Sequence, residues 1–235
     1  MQGRRRGGVG AALTREQIID VAEDMARREG LESVTVRRVS AEIGVTAAAL
    51  YWHLEDKQDL VRALVDRASA RIERPGPEYG TWYERLVRFY LSTREEFSAY
   101  AGLSGALMTA EPTDATLQNC LFVLEVLQDA GFDEPTALSL FDTLSTFSWG
   151  HLMMIDMSRI NVQRAGSEGS AAYTQRVRAL INDRPEYAVF VRSLRHFNDR
   201  RNETQLVRGI ELIVTSAAAA SGISVPSSSR FAYAT

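Results

Sequence analysis

Residues 35–57 read TVRRVSAEIGVTAAALYWHLEDK, and the fold turns on them. Thr35 can cap a short helix carrying Val36, Val39 and Ile43, which stops at Gly44. After Val45, Thr46 can cap a second short helix running through His53. Two short helices around the turn Ile43-Gly44-Val45 describe a helix-turn-helix. Gly44 suits that turn, because the backbone there needs a positive φ that a Cβ disfavours. In such a unit the second helix enters the major groove of DNA and the first crosses the phosphate backbone. Any two short helices flanking a glycine look alike, however, so the surroundings must carry the reading.

Upstream, Thr14 and Gln17 form a capping box, and Ile18, Ala22 and Met25 recur at helical spacing before Gly30 ends the run. Downstream, Asp56 starts a fourth helix with Leu60, Leu64 and Ala68 facing inward, and Arg74-Pro75-Gly76-Pro77 then breaks the chain. Beyond it the pattern predicts helices near 78–98, 101–110, 114–130, 134–160, 173–182, 186–198 and 203–221, with a mobile linker at 161–171. Strand signals are almost missing. The fold class expected is all-α: a disordered basic arm (1–12), a three-helix helix-turn-helix domain (13–56), a connecting helix (57–74), a larger helical C-terminal domain (75–221) and a flexible tail (222–235).

Composition narrows the functional classes. The net charge of the 235 residues is −3, and residues 1–65 hold ten Lys or Arg against ten Asp or Glu, so any basic surface must arise by position. Lys57 is the sole lysine. Cys120 is the sole cysteine, which rules out an intrachain disulfide and favours a cytoplasmic protein. No apolar run approaches the roughly 18 residues of a membrane span, and no apolar stretch follows the Arg-rich start as in a signal peptide. The three histidines, His53, His151 and His196, lie far apart, and there is no phosphate loop, CxxC pair or HExxH. That inventory argues against an enzyme, a cofactor and a metal site.

The run from Thr35 through Ile43-Gly44-Val45, Leu50-Tyr51-Trp52-His53-Leu54 and Lys57 to Leu60-Val61 resembles the N-terminal domain of the tetracycline-repressor (TetR) family. The LYWH stretch followed by Lys57 is more specific than a bare helix-turn-helix. The resemblance is close over residues 14–65. It continues more weakly into 131–160 and 208–214, which look like the tetracycline-repressor type of C-terminal domain. It implies a ligand-responsive transcriptional repressor that binds double-stranded operator DNA as a homodimer. The alternative is a DNA-binding regulator controlled by a protein partner or by no ligand.

The resemblance also assigns roles. Thr46, Ala47 and Ala48 open the recognition helix and point at base edges, offering methyl contacts to thymine; alternatively the alanines are there as good helix formers. Arg37 matches a base-contacting position, and Arg38 is expected to pair with phosphate or with Glu42, four residues on. Tyr51 and Lys57 match phosphate contacts, with His53 beside them. Trp52 is expected to pack between helices, as Leu50 and Leu54 do. Arg4, Arg5 and Arg6 form an arm that either enters the minor groove or stays solvated.

In the larger domain, helix 134–160 is apolar on two stripes and helix 203–221 behaves likewise, which marks both as buried on two faces. In the family these helices pair with their counterparts across the dimer. The remaining helices should enclose a pocket for a small-molecule effector, with candidates Phe89, Tyr90, Thr93, Phe97, Tyr100, Leu103, Met108, Leu121, Phe122, Phe147, His151 and Met154. For each, a place in the core is the plain alternative. Family tetracycline sensors hold a metal-coordinating His before helix 114–130 and a Glu on the long helix. Here no histidine lies between His53 and His151, Met154 matches the Glu, and Phe89 and Val123 stand where amides would sit. This argues against tetracycline bound through Mg²⁺ and for a flatter, more apolar aromatic or polyketide-like ligand.

Overall fold

The computed structural model describes residues 13–165, 175–176, 178–181, 184–193 and 203–227. Among them every regular element is helical. The N-terminal unit comprises α1 (Arg15–Glu29), α2 (Val36–Ile43) and α3 (Ala47–Leu50), followed by α4 (Lys57–Arg71). Then come α5 (Trp82–Ser98), α6 (Leu103–Leu107), α7 (Asp114–Asp129), α8 (Glu134–Ala165), α9 (Ala188–Ser193) and α10 (Glu203–Ser221).

The caps fall where the side chains dictate. Thr14 and Gln17 close a capping box on α1, Thr35 accepts from the Arg38 amide, Thr46 from Ala49, and Asp56 from Asp59. Each satisfies an amide that the first helical turn leaves without a partner. Gly44 sits at φ 83° and ψ 29°, the left-handed conformation that turns α2 toward α3.

Several boundaries differ from expectation. The third helix is regular only over Ala47–Leu50, and hydrogen-bonded turns carry the chain to Leu54. The segment expected from 78 begins as a 3₁₀ turn at Pro77–Tyr79, and α5 starts only after Thr81, capped with Glu84. α8 continues to Ala165, through the first residues expected to be linker. In the expected tail, Ile223 and Val225 pack against the core. The basic arm, Arg4, Arg5 and Arg6 included, lies outside the described residues.

One continuous apolar core runs from Ile18 in α1 through Leu60 and Leu64 in α4 to Val214 and Ala218 in α10. α4 packs on α1 at one side and on α5, α6 and α7 at the other, so it belongs to both halves of the molecule. α8 and α10 pack on each other so closely that a Cβ at Gly209 would run into the Phe147 ring.

Candidate DNA-reading surface and ligand cavity

The helix-turn-helix is anchored from beneath. Val39, Leu50 and Leu54 are buried in the same apolar cluster as residues of α1 and α4, which leaves the polar residues of α2 and α3 outward. Arg37, Thr46, Ala48, Tyr51 and Lys57 are exposed, and Ala47 and His53 are half-buried. Arg37 makes no side-chain hydrogen bond or ion pair with another described residue. Arg38 does: it pairs with Glu29 at 2.8 Å, not with Glu42, which takes Arg28 at 3.0 Å. Trp52 corrects a second expectation, because it is 87% exposed while Leu50 and Leu54 hold the interior.

Behind this surface sits a buried carboxylate. Glu23 of α1 is only 6% exposed. Its Oε1 accepts from the Tyr100 hydroxyl at 2.7 Å, from Arg27 Nε at 3.2 Å and from Arg71. Its Oε2 accepts from Arg67 Nη1 at 2.9 Å and Arg71 Nη2 at 3.1 Å. Burial alone would raise the carboxyl, but the hydrogen bonds from Arg71, Tyr100 and Arg67 outweigh it and hold Glu23 far below the usual carboxylate range. Burial, then the bond to Glu23, pushes the Tyr100 phenol up to about 12. Arg67 and Arg71 stand four apart on α4, so both meet Glu23 from one helix face.

The other side of α4 faces a cavity of about 320 Å³. Ser69 and Ile72 form its α4 wall; Phe89, Tyr90 and Thr93 come from α5, and Leu107 and Met108 from the end of α6. α7 adds Thr116, Asn119 and Cys120, and α8 adds Phe141, Ser145, Ser148 and Trp149. Of the expected ligand residues, Phe89, Tyr90, Thr93 and Met108 line it, and Leu103 and Leu121 do not. Phe122 lies beyond the lining, its ring 5.2 Å from that of Phe89, and Phe97 packs edge-on to Trp149 at 5.5 Å. Tyr100 is committed to Glu23. Phe147 packs on Gly209, and Met154 is 42% exposed on the surface. His151 is buried away from the lining, its Nε2 without a partner among the described residues; burial and then Arg94 lower its pKa to about 4. Expectation missed Ser145, Ser148 and Trp149 among the lining residues. The serines, three apart on an apolar helix, were the available signal.

A second, more open cleft of about 510 Å³ lies between the 29–32 segment, the start of α4, α6 and α8. Its buried carboxylate, Asp156, takes the Ser104 hydroxyl. Among the described residues no group of three or more His, Cys, Asp or Glu is placed to hold a metal ion, and no helix is long and apolar enough to cross a membrane.

Two family models match: bacterial regulatory proteins of the tetR family over residues 18–64, and the tetracyclin repressor-like C-terminal domain over residues 74–202. The chain belongs to the TetR family. The two TetR matches leave residues 65–73 between them, the half of α4 that carries both the Glu23 partners and the cavity wall. Among relatives, the class E tetracycline repressor protein of Escherichia coli is 26% identical over 145 residues, 61% of this chain and 69% of that one. Among solved structures, the Streptomyces coelicolor TetR family protein ActR in complex with actinorhodin superposes with a TM-score of 0.72 at 21% identity, covering 90% of this chain and 98% of that one. Mycobacterium smegmatis BioQ has been solved alone and with its double-stranded DNA operator. The operator complex superposes at 0.59 with 17% identity, over 88% of this chain and 99% of that one. These two likenesses are of fold.

Proposed function

We propose that the chain is a DNA-binding transcriptional repressor, acting as a homodimer and released from its operator by a small aromatic molecule held in the α4–α8 cavity. The observation that carries this reading is the position of α4. One end presents Lys57 beside the helix-turn-helix, and the other closes the cavity through Ser69 and Ile72. Arg37, Thr46, Ala47 and Ala48 read base edges, while Arg38, Tyr51, His53 and Lys57 hold phosphates, joined by the arm Arg4, Arg5 and Arg6.

The homodimer rests on the outer faces of α8 and α10. Leu138, Met153, Met154 and Met157 on α8 and Leu212 on α10 are large apolar side chains exposed to water, with Ala219 and Ala220 exposed beside Leu212. Exposed apolar surface on two helices that already pack together is what an isologous interface requires. Dimerisation also places two recognition helices on half-sites about one DNA turn apart. The similar proteins support both arms of the reading: BioQ is seen with an operator and ActR with actinorhodin. The cavity favours ligand control over control by a protein partner.

Operator binding is tested by titrating the protein, at fixed salt, against duplexes selected from a randomised pool, with and without a panel of neutral aromatic compounds. Selective binding relieved by one compound is the expected result. Selective binding that no compound relieves would remove the effector from the proposal, and equal binding to all duplexes would remove the repressor.

A further inference from the structure

The cavity wall is uneven in what it leaves unmet. Most of its polar atoms are already committed. Thr93 Oγ1 donates to the Phe89 carbonyl at 2.9 Å. Thr116 Oγ1 donates to the Thr113 carbonyl at 2.8 Å. Asn119 accepts from Arg74 at 2.7 Å and donates to the Ser69 carbonyl at 3.0 Å. Two hydroxyls are different. Tyr90 is 3% exposed and Ser148 5% exposed, both line the cavity, and among the described residues neither hydroxyl has an acceptor for its proton, although Ser145 lies close enough to donate to the Tyr90 oxygen. Buried hydroxyls are nearly always partnered, so two in one wall are a specific departure. Ser145, beside the Tyr90 hydroxyl and three residues from Ser148, extends the same polar strip.

The rest of the wall fixes the remaining chemistry. Ile72, Phe89, Leu107, Phe141 and Trp149 supply aliphatic and aromatic surface, and none of the described lining residues carries a charge. An ionised ligand would lie there without a counter-charge, which is strongly disfavoured. The volume, about 320 Å³, stands at the small end of the roughly 300–1,000 Å³ that ligand sites span.

We infer that the effector is a small neutral aromatic carbonyl compound whose oxygen accepts hydrogen bonds from the Tyr90 and Ser148 hydroxyls. This rests on the proposed ligand role of the cavity and names the ligand class. A carbonyl oxygen has two lone pairs and can take a proton from each donor. Burial keeps the Tyr90 phenol protonated at physiological pH, and so a donor.

The test uses three probes of one shape: acetonaphthone (neutral ketone), ethylnaphthalene (no oxygen) and naphthoate (anion). Binding to the full-length protein is followed by Trp149 fluorescence, with a Trp149→Phe control to assign the signal, and by calorimetry. The ketone should bind about tenfold or more tighter than the hydrocarbon, because a site built to hydrogen-bond rejects the analogue that lacks the group. Naphthoate should not bind at neutral pH. Tyr90→Phe and Ser148→Ala should each erase most of the ketone's advantage and leave ethylnaphthalene unchanged. Equal binding of ketone and hydrocarbon overturns the inference while leaving the cavity a ligand site. Failure of all three to bind overturns both. A second measurement needs no ligand: since neither hydroxyl donates to a described residue, Tyr90→Phe should melt no lower than the parent. A marked fall in its Tm would mean that the hydroxyl is satisfied within the protein, and the inference would be wrong.

Discussion

Glu23→Gln is the most informative single change in the scaffold. The amide keeps the volume of the side chain and removes the charge that Arg67, Arg71, Arg27 and Tyr100 all address. Breaking a buried ion pair from one side costs about 3–5 kcal/mol when the remaining charge is fully buried. Here the Arg71 and Arg27 side chains are 42% and 39% exposed, so water recovers part of the loss. Arg67 also keeps Asp20, at 2.7 Å, and Glu16. The expected cost at pH 7 is therefore about 2–3 kcal/mol, which for a chain of this size lowers Tm by roughly 4–12 °C. The sign with pH follows from the direction of the shift. Glu23 is depressed in the folded chain, so its contribution is fully present above the unfolded value near 4.5 and is lost as pH falls below it. Urea melts of parent and variant should differ by a constant amount from pH 8 to about 5, and the gap should close toward pH 3. A variant within about 0.5 kcal/mol of the parent at pH 7, or a gap that ignores acid, would refute the assignment of Glu23 as an ionised clamp.

Three further changes separate surface from scaffold. Trp52→Ala should leave the melting temperature unchanged, since the indole is 87% exposed, and should weaken operator binding in an anisotropy titration; a stability loss above about 1 kcal/mol would mean the side chain packs. Gly44→Ala meets no atom within 4 Å of the new Cβ, so its cost is the left-handed backbone alone, about 1–2 kcal/mol by denaturant melt, and a neutral result would deny that the turn needs φ 83°. His151 has a folded pKa lowered to about 4 from 6.5, so the unfolded chain takes the proton first and stability falls as pH drops from about 6.5 toward 4. His151→Leu should flatten that part of the stability profile, and an unchanged slope would place the titration elsewhere.

The DNA-reading unit was legible because its determinants are local. Caps at Thr35, Thr46 and Asp56 and the glycine at 44 act over three or four residues, and the backbone follows them. Trp52 was misjudged by residue type. It stands two residues from both Leu50 and Leu54, and two helical steps of about 100° place it on the opposite side from theirs. The Arg38–Glu42 expectation failed for another reason: the i, i+4 pair competed with Glu29 and with Arg28, which come close only after α1 and α2 pack. The ligand candidates were chosen as aromatic residues with occasional polar points, a pattern that core and cavity share. Tyr100 shows why. Its hydroxyl is claimed by a carboxylate 77 residues upstream, which no local pattern reveals. Tyr90 and Ser148 are distinguished only by what they lack, a property that exists once the helices are packed.

α4 is where the two proposed sites can exchange free energy. Its 15 residues span about 22 Å, with Lys57 at one end and the cavity wall at Ser69 and Ile72 at the other. A ligand pressing on that wall could tilt α4 without disturbing DNA if α4 slid freely over α1. It does not slide freely: Arg67 and Arg71 grip Glu23, α2 packs onto α1 and α3 onto α2, so the reading helix is carried with whatever moves α4. A 100-fold loss of operator affinity needs about 2.7 kcal/mol of differential ligand binding between two conformational states. The Glu23 clamp is of the same order, which makes it stiff enough to transmit such a shift rather than yield to it. The same magnitude limits the ligand: a small molecule anchored by two hydroxyls must draw its 2.7 kcal/mol from contacts made in one position of the α4 wall and lost in the other. Ser69 and Ile72, rather than the deeper aromatic lining, are therefore where effector strength is set on this mechanism.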